Sequence, residues 1–507
     1  MALYRVSGGP LLKTSGGGLV KAPAVPPSEK ALLQSSDFSY LGSFIVADIY
    51  PTYAGDTGYC RGLTHRYNGA TLELFTSAWG GDGRGAVFSM TVPTLKTSAT
   101  YNHAPLVRHW GDIYHGKKLI ADGPAGDPQG ITYGLYWDEP TSRLYWIYMD
   151  DYSSNMSEKS IGYSTLNDSD GSSVGYGPWG FTEPGYKAIK GITAIPSEWQ
   201  SYVGGKRLAA GFGGYESVVG SGGGSMGPSL TAFDPATMTT LAEGSYLAAG
   251  DVQTLVHHAM NTTAYTRPMR GKRDTNYYQE TDGWNVNAGV GYWTWSDSAL
   301  QSGIWISTAT KEGFMVLVRQ MDGVGTATVD GSFTPTAAPA YGVESWNVRV
   351  TSAYPGLNVG DYVSYPVVVG GAAAARIEAI SGVDLVITMV PSGLVPDPEP
   401  ATSGTSYRGS FYYGSTVYSS AGKVQAFMYA PADLVAGTDV DLVDYADEWT
   451  FGCPTIPGYI EGWKDVGRGT IGGVTFDETT GRLYVMFPQG IFESGYPKSV
   501  VSVYSIA

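Results

Sequence analysis

Charged side chains stand just before a short segment that recurs along the chain, a glycine followed by an apolar residue and threonine. Clear copies of this segment are Gly62-Leu63-Thr64, Gly130-Ile131-Thr132, Gly191-Ile192-Thr193 and Gly473-Val474-Thr475. The cations that precede copies of it are Arg61, Lys190 and Arg468. Three cations near one axis could hold a carboxylate or a phosphate group, because both cation types donate charge-assisted hydrogen bonds to such anions. The alternative, which we favour, is that these cations form ion pairs across a channel with Asp127, Asp56 or Asp465.

Basic and aromatic residues are interleaved in a second segment, from about residue 260 to residue 302. The basic residues are Arg267, Arg270, Lys272 and Arg273, and the tryptophans are Trp284, Trp293 and Trp295. Such a mixture can bind sugars or anions, because ring faces and cations offer complementary contacts. The alternative is a structured loop whose aromatic side chains pack on the rim of the domain.

The recurring glycine segment opens a unit of short strands, and we identify five such units. In the last unit the strands are predicted at residues 472–476, 482–487 and 500–505, with turn residues between them. Earlier units begin near residues 62, 130, 191 and 303. Each unit is too small to bury its own apolar face, and radial packing of four-stranded units is the usual solution. We therefore predict an all-β fold, a five-bladed β-propeller in which the first strand of each unit lines a central channel.

Closure of the ring is predicted from the two ends of the chain. A strand is predicted from Tyr40 to Val46, before the first unit, whereas the last unit ends at Ala507 after three strands. The N-terminal strand would complete the last blade beside residues 500–505, because that pairing satisfies two open sheet edges.

Two further regions flank or interrupt the propeller. Residues 1–37 are rich in glycine and proline and are predicted to form an extended arm, held by its own propeller or by a neighbouring subunit. Residues 324–406 are predicted to be a small β-barrel or sandwich inserted in the fourth blade, because loop-closure cost rises slowly with length. The propeller itself would then comprise residues 38–323 and 407–507.

Composition restricts the classes of function. The 507 residues are 43% hydrophobic and 15% charged, which suits many short strands around a core. The formal net charge of −15 argues against nucleic acid as a partner. No apolar run reaches the ~20 residues of a membrane helix, so membrane insertion is not expected. The N-terminal residues also lack the apolar core of a secretory signal, although the composition is typical of extracellular proteins.

Cofactor and metal signals are weak. No phosphate-binding glycine loop precedes a helix, and the histidines lack zinc-ligand spacing, so we expect no cofactor and no metal. Residues 167–171 resemble part of a calcium loop, but Leu166 occupies the first ligand position, which favours a plain polar turn. The two cysteines, Cys60 and Cys453, are interpreted as buried thiols rather than as a disulfide.

The repeat count resembles that of the furanosidase-like glycoside hydrolases, which are five-bladed propellers. Asp127-Pro128, ahead of Gly130-Ile131-Thr132, is similar to the segment that carries their catalytic base. The resemblance covers this segment and the repeat count, and it implies a base and a raised-pKa acid on innermost strands. It makes Asp127 the candidate base, and the candidate partners are Asp56, Glu280, Asp282, Glu461 and Asp465. Arg61, Lys190 and Gly472 stand at the positions where such an enzyme would carry acids.

Our preferred functional prediction is a non-enzymatic structural or binding component of an extracellular assembly. The glycine-rich arm and the composition resemble those of tailed-phage virion proteins of the tail hub, nozzle, fibre or head-attachment type. That resemblance implies localisation in a virion, oligomeric contacts with other virion subunits through the arm, and contact with host surface glycans. A five-bladed glycoside hydrolase is the alternative.

Overall fold

The computed structural model describes most of the predicted strands and part of the connecting chain. The described residues are 4–6, 9–13, 19–21, 30–49, 56–79, 86–97, 100–117, 131–149, 159–181, 191–211, 225–259, 302–319, 325–333, 345–350, 362–366, 372–381, 384–389, 407–413, 424–436, 446–451, 471–493 and 496–507. No helix in these stretches has both the length and the apolar character that a membrane span requires.

In the described residues before Asp56 there are five strands. They are β1 (Tyr4–Val6), β2 (Gly9–Lys13), β3 (Leu19–Lys21), β4 (Ala31–Leu32) and β5 (Phe38–Ile45). The first three form an antiparallel sheet of their own within the predicted arm. The later part of the arm lies on its own propeller, because β4 pairs in parallel with a strand of blade 4. A single 3-10 turn, Ser35–Asp37, then leads into β5.

Four-stranded antiparallel sheets form the blades, and in blades 1–4 the chain fills each sheet from the centre outwards. Blade 1 contains β6 (Asp56–Asn68), β7 (Thr71–Trp79), β8 (Val87–Thr91) and β9 (Leu106–Gly111). Blade 2 contains β10 (Ile131–Asp138), β11 (Arg143–Met149), β12 (Ile161–Leu166) and β13 (Ser173–Phe181). Blade 3 contains β14 (Gly191–Ala194), β15 (Leu208–Gly211), β16 (Ser225–Phe233) and β18 (Val252–Ala259), and β17 (Tyr246–Leu247) pairs in parallel with β13.

Blade 4 is interrupted between its second and third strands. It contains β19 (Ser302–Ser307), β20 (Lys311–Arg319), β27 (Val424–Tyr429) and β28 (Asp447–Phe451). The intervening strands close into a barrel of their own, in the order β21-β22-β25-β24-β23-β26. These are β21 (Gly325–Phe333), β22 (Ser345–Val350), β23 (Tyr362–Pro366), β24 (Ala372–Ser381), β25 (Asp384–Met389) and β26 (Tyr407–Tyr413). The backbone pairing of the barrel extends beyond residue 406, where the sequence analysis placed its end.

Blade 5 joins the two ends of the chain. It contains β29 (Gly473–Asp477), β30 (Arg482–Glu493), β31 (Tyr496–Ile506) and, as its outermost strand, β5. The register pairs Val500 with Ile45 and Ile506 with Phe38. The predicted closing strand and the predicted five-bladed, all-β fold are therefore confirmed.

The innermost strands form a complete ring. β6 contacts β10, β10 contacts β14, β14 contacts β19, β19 contacts β29, and β29 contacts β6 again. Short helices occupy some connections outside this ring: α1 (Ser197–Gln200) and a 3-10 turn (Ser201–Val203) follow β14, α2 (Pro235–Met238) follows β16 and α3 (Pro431–Val435) follows β27.

The core is divided among the interfaces between blades, because successive side chains of a strand point to opposite faces of its sheet. Leu74 and Phe75 are neighbours in β7, yet Leu74 packs with blade 5 and Phe75 packs with blade 2. In β20, Met315 packs towards blade 5 and Val316 towards blade 3. Each blade is therefore stabilised by both of its neighbours, so that loss of one interface affects the whole ring.

Phe44→Ala tests the closing strand. Phe44 has no exposed surface and packs in the cluster between blades 5 and 1, so the change should cost about 3–5 kcal/mol of unfolding free energy. The control is Leu106→Ala on the outer strand of blade 1, where the side chain is 44% exposed and the cost should stay within about 0.5 kcal/mol. Chemical unfolding measures both, and equal losses would contradict the closure by β5.

Candidate functional site

A cavity of about 310 Å³ lies on the axis of the ring, where the innermost strands end and turn outwards. All five blades contribute to its wall. The residues that line it are 63–67 of blade 1, Leu135, Tyr136, Trp137, Glu139 and Pro140 of blade 2, 192–194 of blade 3, Ile304 and Trp305 of blade 4, and 474–479 of blade 5. The prediction that first strands line a channel therefore agrees with the geometry of this cavity.

A repeated turn places carboxylates at the mouth of the cavity. Residues 138–145 of blade 2 and 477–484 of blade 5 share the pattern Asp-Glu-x-Thr-x-Arg-Leu-Tyr. The aspartate of each copy is used within the turn: the Thr141 hydroxyl donates to Asp138 at 2.5 Å, and the Thr479 amide donates to Asp477 at 3.0 Å. The glutamate that follows is exposed instead. The turn chemistry thus leaves Glu139 and Glu478 directed to the mouth.

Hydrogen bonds join blades 1 and 5 across the wall. His65 Nδ1 lies 2.8 Å from Thr475 Oγ1, and the Tyr67 hydroxyl donates to Asp477 Oδ2 at 2.9 Å. Burial lowers the pKa of the His65 imidazole, although the charges of Asp477 and Glu139 act in the opposite direction. His65 is therefore neutral at pH 7, and it adds no positive charge to the cavity.

Arg66 is part of the cavity lining, but its guanidinium group is bound by carboxylates of blades 1 and 2. Its guanidinium group donates to Glu73 at 3.0 Å and to Asp168 at 2.5 Å. Although burial acts to lower the pKa of Arg66, the hydrogen bonds to Asp168 and Glu73 raise it above its ordinary value. The group also lies over the rings of Phe75 and Trp137, 5.0 and 5.1 Å from their centroids. Arg66 therefore clamps blade 1 to the β12–β13 turn of blade 2, and its charge is balanced locally.

The cavity consequently combines aromatic surface with negative charge. Its aromatic lining comes from Tyr67, Tyr136, Trp137, Trp305 and Phe476. Burial raises the pKa of the Tyr136 hydroxyl, and the nearby charges of Asp138 and Glu478 add to that effect. Although the Glu478 side chain is exposed at the mouth, partial loss of hydration against the wall raises the pKa of its carboxyl, followed by repulsion from Glu198 and Asp477. Such a site disfavours anions and suits neutral polar molecules or cations.

Most sequence-predicted site residues lie outside the described part of the chain. They are Asp127, Glu280, Asp282, Glu461, Asp465, Lys190, Arg468, Trp284, Trp293 and Trp295. Asp56 begins β6, where its backbone pairs with Trp79, and Arg61 pairs with Ser77 further along that strand. Arg61 precedes the part of β6 that lines the cavity and is not among the lining residues. Their proposed roles remain predictions.

Other predicted features have simple structural settings. The turn at 167–171 is stabilised by its own side chains: the Ser169 amide donates to Asn167 Oδ1 at 3.1 Å, and the Ser172 amide donates to Asp170 Oδ1 at 2.8 Å. Within the described residues, no group of three or more histidine, cysteine or acidic side chains is placed to hold a metal ion. Cys60 is buried, and Cys453 lies outside the described residues.

Sequence reasoning missed the residues that form this cavity. The glutamates could have been found from the repeated Asp-Glu-x-Thr turn in blades 2 and 5. His65, Tyr136 and Trp305 lie within strands, where the facing direction depends on the register of pairing, and they carried no comparable signal.

Neither protein-family models nor curated protein sequences match this chain. Among solved structures, a Parabacteroides distasonis protein provisionally described as a glycoside hydrolase is 10% identical, with 97% of this chain and 95% of that chain covered and a TM-score of 0.32. The GH43_1 enzyme from Xanthomonas citri, solved with xylose, is 9% identical over 84% and 97% of the two chains, with a TM-score of 0.28. At these scores the similarity does not bear on function, and the fold assignment rests on the strand pairing described above.

Arg66→Met tests the clamp beside the cavity. The change leaves the Glu73 carboxylate, which is 3% exposed, without its cation, and the expected loss of stability is about 3–5 kcal/mol. The control is Asp168→Asn, because this carboxylate is 48% exposed and its loss should cost at most about 1 kcal/mol. Chemical unfolding compares the two variants, and a small effect of Arg66→Met would show that the clamp is dispensable.

His65→Gln tests the neutral imidazole. Burial lowers the pKa of His65 in the folded protein below its ordinary value of 6.5, so the unfolded chain takes up a proton more readily. The wild type should therefore lose stability relative to the variant as the pH falls through about 6.5, and the difference should be constant above about pH 7.5. Unfolding free energies measured from pH 5 to pH 8 check this; a difference independent of pH would contradict it.

Proposed function

We propose that this protein binds a neutral carbohydrate in the cavity on the propeller axis. The observation that carries the proposal is the combination of aromatic walls with carboxylates and hydroxyls around one cavity. Sugars present C–H faces that pack on aromatic rings, and their hydroxyl groups donate to carboxylates and hydroxyl oxygens. The volume lies at the lower end of the range of about 300–1,000 Å³ for small-molecule sites, which suits a short saccharide.

Charge narrows the class of carbohydrate. Glu139, Asp477 and Glu478 line the cavity, whereas the guanidinium of Arg66 is bound to Glu73 and Asp168. A uronic or sialic acid would bring its own carboxylate against these groups, and among the described residues that line the cavity the guanidinium of Arg66 is already bound to Glu73 and Asp168. Like charges at close range cost several kcal/mol, so acidic sugars should be excluded.

Hydrolysis of a glycosidic bond is a second candidate function. Glu139 and Glu478 approach the same cavity from different blades, and both burial and neighbouring acids raise the pKa of Glu478. In glycoside hydrolases a carboxyl group with a raised pKa acts as the acid beside an ionised carboxylate, and the pKa of Glu478 is shifted in the direction that this role requires. Asp127 and its predicted partners belong to the same hypothesis, as alternatives to this pair.

The assembly hypothesis concerns a different part of the molecule. Residues 30–37 pack on their own propeller, so contacts with other virion subunits would have to come from residues 1–29 or from the outer surface. Incorporation into a virion therefore remains a proposal that is independent of the cavity.

A matched set of sugars tests the binding proposal. Lactose, cellobiose and xylobiose should bind, and sialyllactose should bind at least about tenfold more weakly than lactose, which corresponds to about 1.4 kcal/mol. In the double variant Glu139→Gln/Glu478→Gln this discrimination should shrink, because the repelling charges are gone. Asp433→Asn, at an exposed carboxylate outside the cavity lining, is the control and should leave it unchanged.

Calorimetry gives the affinities, and mass spectrometry of the same mixtures detects cleaved products. Absence of binding by all three neutral sugars, or equal affinity for sialyllactose, would refute the binding proposal. Product formation that Glu478→Gln abolishes and Asp433→Asn preserves would establish the hydrolase; intact sugars throughout would reject it for these substrates.

A further inference from the structure

Lys30, the residue before β4, carries an ammonium group to the rim of the cavity. Lys30 Nζ lies 2.7 Å from Glu198 Oε1 and 2.6 Å from Ser307 Oγ, and the Ser307 hydroxyl donates to Glu198 Oε1 at 2.8 Å. Ser307 follows Trp305 by two residues, and Glu198 follows Ala194 by four. Trp305 and Ala194 line the cavity, and the charges of Glu198 and Lys30 act on Glu478 of its lining, which places the ammonium group near the rim between blades 3 and 4.

The residues that follow Lys30, and not Lys30 itself, attach β4 to blade 4. The Ala31 amide donates to the Thr310 carbonyl at 2.9 Å, and the Leu33 amide donates to the Glu312 carbonyl at 3.0 Å. The Leu33 side chain is completely buried in the cluster between blades 4 and 5. Lys30 itself keeps about a quarter of its side chain exposed, so it can be exchanged without removing the anchor.

The ammonium group of Lys30 contacts Glu198, and its charge also acts on Glu312 and Glu478. Burial acts to raise the pKa of Glu198, but the hydrogen bond from Lys30 and further contacts lower it to about 2. Burial raises the pKa of Glu312 and of Glu478, and the charge of Lys30 opposes the rise at both groups. Glu478 lines the cavity, so the position of Lys30 affects the electrostatic potential inside it.

We propose that Lys30 is the internal occupant of an ammonium site at the cavity rim, formed by Glu198 and Ser307. While β4 and the residue before it are docked on blade 4, Lys30 fills this site and reduces the negative charge at the mouth. When Lys30 withdraws, the site accepts a primary amine from outside, such as the amino group of an amino sugar. The amino-sugar part rests on the proposed carbohydrate binding, whereas the ammonium site itself does not.

Chemical rescue tests the site directly. Lys30→Ala removes three methylene groups and the ammonium, and n-propylammonium chloride replaces these atoms from solution. The cation should raise the melting temperature of Lys30→Ala and should bind this variant about fivefold more tightly than the wild type, as expected for a partly exposed ion pair. n-Propanol has the same shape without the charge and should have no such effect.

Two further variants decide between this site and an ordinary surface ion pair. Lys117→Ala breaks a pair with Glu243 whose side chains are 28% and 35% exposed, close to the 26% and 31% of Lys30 and Glu198. It should show no rescue beyond that of the wild type. Lys30→Ala/Glu198→Gln should lose the rescue, because the carboxylate that receives the cation is neutralised.

Equal responses of Lys30→Ala and Lys117→Ala to n-propylammonium, or rescue by n-propanol, would overturn the inference. Glucosamine and glucose extend the test to sugars: Lys30→Ala should bind glucosamine about fivefold more tightly than the wild type does, with glucose unchanged. Rescue without any sugar binding would refute only the proposed function. Binding of neutral sugars without rescue would refute only the ammonium site.

Discussion

The pairing of β5 with β31 is the constraint on which the rest of the structure depends. Every blade packs against two neighbours, and blade 5 has its fourth strand only because the N-terminal strand supplies it. Phe44 on this strand shares a buried cluster with Val501, Val503 and residues of blade 1. The same pairing thus satisfies the open edge of blade 5 and completes the interface that closes the ring. The axial cavity exists because this closure holds five innermost strands around one axis.

The turns that end the innermost strands combine folding and recognition in adjacent residues. In blades 2 and 5 the aspartate accepts hydrogen bonds from its own turn, and the next residue, a glutamate, points to the mouth of the cavity. Turn geometry therefore determines where the negative charge of the mouth lies. Glu73 and Asp168 balance the charge of Arg66, so this guanidinium group of the lining does not offset the negative charge of the mouth.

The sequence predicts the blades well because each unit repeats the same alternation of apolar residues between turns. The outermost strands near residues 106, 179, 252 and 449 follow from that pattern, and so does closure by the strand at residues 40–46. The sequence does not predict where the barrel ends. The reason is that β26 has the same tyrosine-rich alternation as a propeller strand, and this pattern does not show which sheet the strand joins. The cations Arg61 and Lys190 are candidates because they precede the repeated glycine, which lies at one end of the innermost strands. The cavity lies towards the other end, and its wall depends on strand register, which composition and spacing do not specify.

The two ends of the propeller lie side by side, which has a mechanical consequence. The Ala507 amide donates to the Asp37 carbonyl at 3.0 Å, and Ile506 is paired with Phe38. Tension applied between Asp37 and Ala507 acts at one end of the antiparallel β5–β31 pair. It would therefore break the interstrand hydrogen bonds one after another instead of all together. The ring should accordingly open more easily when β5 is peeled from β31 than when force acts along the paired strands of a blade.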